Sequence, residues 1–592
     1  MFFRITPEFR AGPRFYSCMS KATYKPPTLE QCLSNTNLQR AAAKVASYYR
    51  TQNYPYSPDR AFPALMEDGL ADSLRTAVLD GNYAFQPLRP YWTPKPNNRG
   101  TRMESMSSAM DRILIQALFN QPGHAIQRVL SATAAVDNRV VAPAYRFTRP
   151  HSPYTYSYWP ADYRSYRAQA RRYARKWSKG VALHLDIQNF YPSIRIDRLK
   201  TLLRPWFADD VFELVAQYLE FQTVTETGEV IPYLAGLPIE EPVSRLLAGV
   251  YIQALDHYVL NELNVDYVRY VDDMIVFMPD SDTAEQIKNK ISRFLALHLG
   301  VFINEAKADI KPCPEFMSKS EAAFSRRLSV LNTQVMMTPF MPTAHRAELV
   351  GELRSLVRDM PSPNLPPDQP KSRMLLRGAK FGAWRLARVQ AEECTTDISV
   401  LLSDARTRMI SAVALAHFGT PTAASALQNW LNQAHAALLP FERVQIAGAL
   451  ARNNLLMGFR QFDAYAANDA MLRAILAQCP RSAQHVAESL ADPVPMVRRA
   501  GLIACWKAKR CYPSWTQLQR AARTEQDRDS IILFIRLLAE YGPRARKQID
   551  AWTRHPDPLV AAMAAAVKTL EPGQDLAADK MMADGQMKII SE

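Results

Sequence analysis

The sequence predicts an α+β domain with an antiparallel sheet, followed by an all-α domain. Residues 269–278 contain two apolar, strand-forming stretches separated by Asp272 and Asp273, which predicts a β-hairpin with two carboxylates at its tip. Residues 181–185 form a further apolar strand that ends at Asp186. From 371 to 571, Ala, Leu and Arg recur at helical spacing with few strand signals.

The paired aspartates at the hairpin tip need a counter-charge, because adjacent carboxylates repel each other and resist desolvation. Mg²⁺ binds oxygen ligands and takes one or two protein carboxylates together with substrate phosphates. A strand that delivers Asp186 beside Asp272 and Asp273 would hold two ions about 3.5–4 Å apart, the separation typical of nucleotidyl-transferring sites. The alternative is that each aspartate only caps a strand end. The combination of three favours the metal site.

Two of these segments resemble motifs of reverse transcriptases. The stretch 270–273 (Tyr-Val-Asp-Asp) resembles the catalytic core motif of that family. Asp186, with the Phe190-Tyr191 pair that follows it, resembles the first metal-binding motif.

Three further segments extend the resemblance, and all five stand in the family's order. Residues 91–118 are similar to the fingers segment, in which a Lys–turn–Arg hairpin precedes an Asp-Arg helix. Residues 236–252 resemble the third motif, a Gly-x-Pro turn that leads into a helix. Residues 299–308 resemble the motif with a lysine after the catalytic hairpin. The resemblance therefore covers about 85–310 and implies the fingers and palm of a right-hand polymerase.

The resemblance implies roles for individual residues of the site. Asp186, Asp272 and Asp273 would hold two Mg²⁺ ions, with Mn²⁺ as an alternative, and Lys307 would donate a proton to the leaving pyrophosphate. The Tyr191 ring would exclude a 2′-hydroxyl and so select deoxynucleoside triphosphates. The other residues of the dNTP site would be Lys95, Arg102, Gly236 and Pro238. The alternatives are a core tyrosine at 191 and ordinary surface cations at Lys95, Arg102 and Lys307.

The third motif departs from the family pattern. Many members have Gln-Gly after the Gly-x-Pro turn, where the segment packs against template and nascent base pair, whereas this chain has Ile239, Glu240 and Glu241. Two carboxylates near a phosphate backbone repel it unless they turn away or bind another group. This departure leaves open whether the enzyme copies a template in the ordinary way.

The charge distribution indicates a nucleic-acid partner. The net charge is +15, and residues 1–200 contain 29 Lys and Arg against 13 Asp and Glu. The helical spacing of 164–179 places Arg164, Arg167, Arg171 and Arg175 on one face. Aromatic residues precede this stretch, a combination that suits phosphate contact and base stacking along a single strand. A solvated or protein-binding face is the alternative. The basic residues of the stretch are Arg164, Arg167, Arg171, Arg172, Arg175, Lys176 and Lys179.

The cysteines and the hydropathy predict a cytoplasmic protein without a membrane partner. Seven cysteines are scattered without Cys-x-x-Cys spacing, which fits a reducing compartment and neither a zinc module nor a disulfide framework. No segment resembles a signal peptide, and no run of about twenty apolar residues is present.

The predicted domains are a reverse transcriptase fingers-palm domain over 1–340, a helical and Pro-rich connector over 341–370, a helical domain over 371–571 and a flexible tail over 572–592. Within the helical domain, Asp492 and Asp557 open similar segments, Asp527 lies between them, and Asp404 and Glu442 begin earlier units. Their spacing predicts stacked helix pairs similar to HEAT repeats. An irregular helical domain is the alternative.

A polymerase core joined to such repeats resembles the bacterial abortive-infection reverse transcriptases of antiviral defence. That resemblance implies DNA synthesis that arrests phage growth, with or without a template, and in some relatives primed by a tyrosine hydroxyl of the protein. The partners would be deoxynucleoside triphosphates, a DNA product, an RNA template as one alternative, and further protomers. A conventional enzyme copying a dedicated non-coding RNA and a catalytically idle nucleic-acid-binding scaffold are the competing hypotheses.

Overall fold

The structure is a computed structural model that describes residues 24–51, 62–94, 101–137, 139–225, 229–239, 241–316, 319–361, 369–434, 438–507, 513–539 and 541–568. The chain forms two compact units. The sheet unit comprises Met1–Tyr48, Ala84–Pro90 and Glu104–Met317. The helical unit comprises Tyr49–Tyr83, Tyr91–Met103 and Ser318–Glu592.

A four-stranded antiparallel sheet, here called the central sheet, organises the sheet unit. Its strands lie in the order Asp309–Pro312, Val181–Leu185, Asp273–Met278 and Asp266–Tyr270. The strands are rich in β-branched and apolar residues, which favour a pleated, buried surface. The two middle strands are antiparallel, and Leu185 lies opposite Met274. The next pair in this register would be Asp186 and Asp273, so the register brings these two aspartates close together.

The helix Trp159–Lys176, here called the basic helix, covers one face of the central sheet. Its buried side chains recur every three or four residues, so the helix turns one apolar stripe toward the strands. This stripe packs against alternate strand residues, which share a face because a strand's side chains alternate. The shared core contains Tyr166, Ala170, Tyr173, Ala174, Ala182, Val268, Ile275, Phe277 and Cys313.

Further helices and strand pairs complete the sheet unit and its borders. The helices have the bounds Leu29–Cys32, Asn35–Thr51, Ala109–Thr133, Ile196–Leu203, Asp209–Leu219, Ser244–His257, Ser281–Phe294 and Cys313–Phe316. Three two-stranded sheets pair Arg89–Pro94 with Thr101–Met106, Ala135–Val136 with Arg139–Val140, and Gln222–Val224 with Val230–Pro232.

The described part of the helical unit is made of stacked helices in two rows, as the sequence predicted. Each helix of the first row packs against the next one: Thr343–Arg358, Pro370–Arg388, Arg408–Phe418, Pro440–Arg452, Ala470–Ala477, Pro495–Lys507, Arg528–Ala539 and Pro558–Lys568. The helices of the second row lie between them in sequence: Thr395–Val400, Pro421–Ala434, Gln461–Ala466, Ala483–Leu490, Trp515–Thr524 and Arg546–Trp552. Within the described residues, no helix has both the length and the apolar character needed to cross a bilayer.

Acidic residues at the starts of first-row helices explain the spacing seen in the sequence. Asp492, Asp527 and Asp557 each accept a backbone N–H at the start of the following helix. Asp492 and Asp527 also pair with an arginine of the preceding first-row helix, Arg473 and Arg499 respectively.

Glu442 follows the same rule in an earlier repeat. It accepts the Leu439 N–H at 2.9 Å and pairs with Arg408 at 2.6 Å. Asp492, Asp527 and Glu442 therefore each cap a helix and join it to the previous repeat.

Two segments that the sequence assigned to the polymerase domain group with the helical unit. The helix Lys319–Met337 contributes Leu328, Leu331 and Val335 to the core of the helical stack. The helix Ala71–Leu79 packs against Pro558–Lys568 at the far end of the chain. The physical reason is apolar burial, because Leu74 of the segment is completely buried.

Candidate active site

The two aspartates lie in a tight turn between neighbouring strands, as the sequence predicted. Asp266–Tyr270 and Asp273–Met278 pair directly, with Tyr270 opposite Asp273, so that only Val271 and Asp272 connect them. Val271 has a φ of +62°. This conformation is strained for a β-branched residue and costs about 1–3 kcal/mol, which the surrounding contacts must offset.

A buried ion pair between Arg269 and Asp256 stabilises this turn. Arg269 donates to the Val271 carbonyl at 2.7 Å, and its guanidinium donates to both carboxylate oxygens of Asp256, at 2.8 and 2.5 Å. The Tyr267 hydroxyl donates to the same carboxylate at 3.0 Å. The left-handed backbone of Val271 is therefore fixed by a side chain of the preceding strand.

Asp186 lies beside Asp273, at the end of the neighbouring strand. A backbone hydrogen bond of 2.7 Å from Asn304 to the Asp186 carbonyl fixes its position, and only 8% of the residue is exposed. Burial raises the pKa of Asp273 to about 6, assisted by the charges of Asp272 and Asp186 and by a side-chain hydrogen bond with Asp186. Carboxylates from two segments that are distant in sequence thus interact in one place.

Lys307 forms an ion pair with this acidic group. Its Nζ donates to Asp186 Oδ2 at 2.9 Å, and the Asn304 amide donates to the same oxygen at 3.2 Å. The hydrogen bond to Asp186 raises the pKa of Lys307 above its usual value. Lys307 therefore remains charged and partly balances the aspartates.

The acidic residues fit divalent cations in donor chemistry. Among the described residues, no group of three His, Cys, Asp or Glu side chains is arranged to hold one ion. Asp186 and Asp273 do interact directly, and Mg²⁺ needs only one or two protein carboxylates when phosphates and water supply the rest. Burial and then the charges of Asp272 and Asp186 raise the pKa of Asp273, and a bound cation would oppose both effects.

The first and third motifs meet beside the aspartate turn. The carbonyl of Tyr191, in the short helix Tyr191–Ser193, accepts the Leu237 N–H at 3.0 Å. Gly236 has a φ of +63°, and a Cβ there would lie 2.5 Å from the Tyr191 oxygen and 2.6 Å from the Pro192 oxygen. Only glycine fits this approach. The neighbouring Pro238 is buried.

Tyr191 lies in a mainly aromatic environment that the motif analysis did not identify. Burial raises its pKa well above the usual value, and the charges of Arg245 and Asp272 reach it. The Arg245 guanidinium lies 4.1 Å from the centre of the Tyr145 ring. Tyr145, Tyr191, Arg245 and Val271 border a cavity of about 40 Å³. The only sequence signal for this cluster was the aromatic content of 145–163.

Glu241 turns away from the site and into the protein. It is completely buried and accepts hydrogen bonds from the Ser107 N–H at 2.9 Å, the Ser107 hydroxyl at 2.6 Å and the Tyr218 hydroxyl at 2.9 Å. Arg112 Nε lies 3.7 Å from the same carboxylate. The sequence left open whether this carboxylate repels a phosphate backbone or turns away and binds another group. It turns away and binds Ser107 and Tyr218, so the repulsion does not arise. Glu240 lies outside the described residues.

The basic helix presents its cations as the helical spacing predicted. Arg164, Arg172, Arg175 and Lys176 are exposed, and Arg167 and Arg171 are half-buried. Lys176 also pairs with Asp266 at 2.7 Å.

Three aromatic residues lie at the start of the same helix with much of their surface in solvent. The exposed fractions are 59% for Tyr158, 49% for Trp159 and 43% for Tyr163. Exposed rings beside guanidinium groups are the pattern of a single-strand binding surface.

Of the two cations predicted for the fingers segment, one lies within the described residues. Arg102 lies in the strand Thr101–Met106, which pairs with Arg89–Pro94. Lys95 lies outside the described residues. Their roles toward a triphosphate stay predictions.

Comparison with known proteins identifies the domain that carries this site. Residues 93–318 match the family model described as reverse transcriptase (RNA-dependent DNA polymerase). That range includes Asp186, Tyr191, Asp272, Asp273 and Lys307. No match was found among curated proteins.

Solved structures with some similarity include two telomerases. That of Candida albicans, in complex with a TWJ fragment of telomeric RNA, has 10% identity and a TM-score of 0.31 and is covered over 69% of each chain. The apo telomerase of Candida tropicalis has 11% identity and a TM-score of 0.30, over 68% of this chain and 73% of that one. These scores are too low to support an inference about template or product.

The family match agrees with the fold and motifs described above. The chain contains a reverse transcriptase domain and is an RNA-directed DNA polymerase-like nucleotidyltransferase.

Proposed function

We propose that this enzyme joins deoxynucleotides into DNA at the aspartate turn, with two Mg²⁺ ions, or Mn²⁺, bound by Asp186, Asp272 and Asp273. The observation that supports this most is the meeting of Asp186 and Asp273 from strands almost ninety residues apart, with the pKa of Asp273 raised to about 6. A fold retains such repulsion at a cost to its stability, so the arrangement favours a function for it.

The bound ions would activate the attacking hydroxyl and offset the charge of the leaving pyrophosphate. The chain's own contribution begins with Lys307, whose ammonium group lies 2.9 Å from Asp186 and bears a proton at neutral pH. A protonated amine at the edge of the carboxylates is placed to donate to the leaving pyrophosphate, as the family resemblance implies.

Selection of the sugar is assigned to Tyr191. Its backbone is fixed by Leu237, and the close approach of Gly236 leaves the short helix Tyr191–Ser193 little freedom to move. A rigid ring at this place would exclude a ribose 2′-hydroxyl and admit deoxyribose. Pro238 would stiffen the turn, while Lys95 and Arg102 would contact the triphosphate.

The basic helix is assigned to nucleic-acid binding through Arg164, Arg167, Arg171, Arg172, Arg175 and Lys176. Exposed guanidinium groups contact phosphates, and Tyr158, Trp159 and Tyr163 offer ring surfaces for bases. The middle of the helix carries Tyr166, which the charge of Asp273 reaches. A strand on this helix would therefore lie close to the acidic residues.

Our proposal includes two candidate modes of synthesis, one copying an RNA template and one without a template. Burial of Glu241 removes one electrostatic obstacle to a template strand, which favours an RNA-templated reaction. Untemplated synthesis, primed by one of the 25 tyrosine hydroxyls, is the other candidate and follows from the family resemblance alone.

The cellular role that we propose is arrest of phage growth. Its support is the combination, in one chain, of a polymerase-type sheet unit with a repetitive helical unit, as in the defence group that the sequence resembles. The helical unit would contact the product or assemble protomers. The alternative from a different functional class is a catalytically idle scaffold that binds nucleic acid.

A gel assay with purified protein and labelled nucleotides tests the activity. We expect polymer from dNTPs with Mg²⁺ and none from NTPs or with EDTA. Ribonuclease present throughout synthesis separates the two modes, since loss of product indicates an RNA template, and persistence indicates untemplated synthesis. Protease treatment that shifts the product reveals linkage to the protein. Absence of polymer under all conditions would leave the scaffold as the better hypothesis.

A further inference from the structure

A second pocket lies on the sheet unit and shares one lining residue, Gln127, with the cavity beside the aspartate turn. It has a volume of about 360 Å³ and opens between the helix Ala109–Thr133 and the segment 146–157. This segment forms a small hairpin, here called the cationic hairpin, through a Thr148 N–H to Thr155 bond of 3.0 Å and a Ser157 N–H to Arg146 bond of 2.8 Å. Apart from Phe147, every lining residue is polar: His124, Gln127, Arg128, Ser131, Arg146, Thr148 and Ser157.

Positive charge surrounds this pocket. None of its lining residues is acidic. The pKa of His124 is lowered by its burial and then by the charges of Arg128, Arg149, Lys44 and His151. Arg128 and Arg146 thus line the pocket, and the charges of Arg149 and Lys44 also reach its His124.

A buried carboxylate contacts the pocket wall from the protein side. Asp162 is completely buried, accepts from Arg146 Nη2 at 2.8 Å and also accepts from the Ser157 hydroxyl. It therefore orients these two donors and compensates one charge. Lys44 is also buried, and it donates to the Arg149 carbonyl at 3.1 Å. These contacts do not compensate the charges of the other cations.

Hydroxyl and guanidinium donors in a cationic pocket are the groups that recognise phosphate oxygens. The pocket's volume is in the range of sites for small ligands. A row of ring contacts also leads from its wall toward the active site: Phe147 with Tyr156, Tyr156 with Tyr145, and Tyr145 with Tyr270.

We propose that this pocket binds a phosphate group of a nucleic-acid strand that the enzyme uses or makes. The inference rests on the proposed function only in taking nucleic acid as the source of the phosphate. Two positions in a strand can supply it, a terminal 5′-phosphate or an internal phosphodiester. In either case Arg128 contacts the phosphate, and the exposed ring of Tyr158, just after the hairpin, contacts an adjoining base.

The test measures binding of labelled single-stranded oligonucleotides by fluorescence anisotropy. All proteins carry Asp186→Asn and are assayed without dNTPs, so that binding is read independently of synthesis. We expect Arg128→Gln to weaken binding about tenfold, the effect of losing one charge-assisted contact. Arg128→Lys keeps the charge without the planar fork and should recover part of the affinity.

Arg293→Gln is the matched control, because it removes one exposed arginine from the helix Ser281–Phe294 of the same unit. Two oligonucleotides of one sequence, with and without a 5′-phosphate, identify the source. An effect of Arg128→Gln confined to the 5′-phosphorylated strand indicates a terminal phosphate, and an equal effect on both indicates the backbone. If Arg128→Gln binds both strands as tightly as Arg293→Gln does, the proposal is wrong, whether or not the wild-type enzyme synthesises DNA.

Discussion

The site concentrates negative charge on a few residues and holds them with hydrogen bonds from neighbouring side chains. Asp186 is held by Asn304 and Lys307, and the aspartate turn is held by Arg269 through Val271. The residue types and spacing of the motifs predicted which side chains meet. They could not predict the strained backbone of Val271, because a β-branched residue seldom adopts a positive φ.

Gly236 carries the most specific steric prediction. Gly236→Ala should destabilise the sheet unit by about 1–3 kcal/mol and raise the KM for dNTPs, since its Cβ would push against the carbonyls of Tyr191 and Pro192. Denaturant unfolding and steady-state kinetics measure both effects.

Gly300→Ala is the control for this prediction. Gly300 has a similar φ of +67°, but its added Cβ would meet only Arg195 Cδ at 3.7 Å. It should share the loss of stability without the change in KM. Equal KM values for the two variants would show that the contact with Tyr191 is unimportant.

Asp273 predicts a pH-dependent stability in metal-free buffer. Its folded pKa of about 6 exceeds the value of about 3.9 for an unfolded aspartate, so the folded protein binds the proton more tightly. Its contribution to stability is therefore complete below about pH 4 and is lost as the pH rises through about 6.

Asp273→Asn removes this titration. Thermal unfolding in EDTA should give the variant a higher Tm than the wild type near pH 7, with the difference disappearing near pH 4. A variant that is less stable than the wild type near pH 7 would mean that the carboxylate repulsion does not exist.

At the scale of elements, buried polar groups decide how the motifs join. Glu241 connects the third motif to Ser107, just before the helix Ala109–Thr133, and to Tyr218 in Asp209–Leu219. The sequence showed only that the family's usual residues were absent. Burial of a carboxylate depends on donors contributed by distant elements, which single-sequence patterns do not reveal.

Glu241→Gln tests this structural role. Replacing the charged acceptor should cost about 1.5–3 kcal/mol of unfolding free energy, because two hydroxyls and a backbone N–H lose their ionic partner. The salt dependence of oligonucleotide binding should stay unchanged. Tighter binding with a steeper salt dependence would place the carboxylate near the phosphate backbone instead.

At the scale of the whole molecule, the helical periodicity predicted an all-α, repetitive region, and the fold confirms it. The regular spacing of acidic residues in the sequence arises because these carboxylates cap one helix and pair with an arginine of the previous repeat. Asp527, which pairs with Arg499, is an example. The packing of the segment around Ala71–Leu79 against the last helix could not be predicted, since local patterns do not encode contacts between positions nearly five hundred residues apart.

Leu74→Ala should loosen the end of the helical stack. Deleting this buried side chain should cost about 2–5 kcal/mol locally, because Ala71–Leu79 packs against Pro558–Lys568. Hydrogen exchange should increase in 558–568 and stay unchanged in 408–418, since repeats are stabilised mainly by their neighbours. Unchanged protection of 558–568 would contradict the packing.

The most direct measurement of the central claim is dNTP incorporation by Asp186→Asn, titrated with Mg²⁺. The substitution keeps the size of the side chain and its backbone contact with Asn304 but removes a charge beside Asp273. We predict a loss of at least about a thousandfold in rate at every Mg²⁺ concentration, with the fold intact by circular dichroism. Incorporation at the wild-type rate with the same Mg²⁺ dependence would contradict the assignment of these carboxylates as the catalytic metal site.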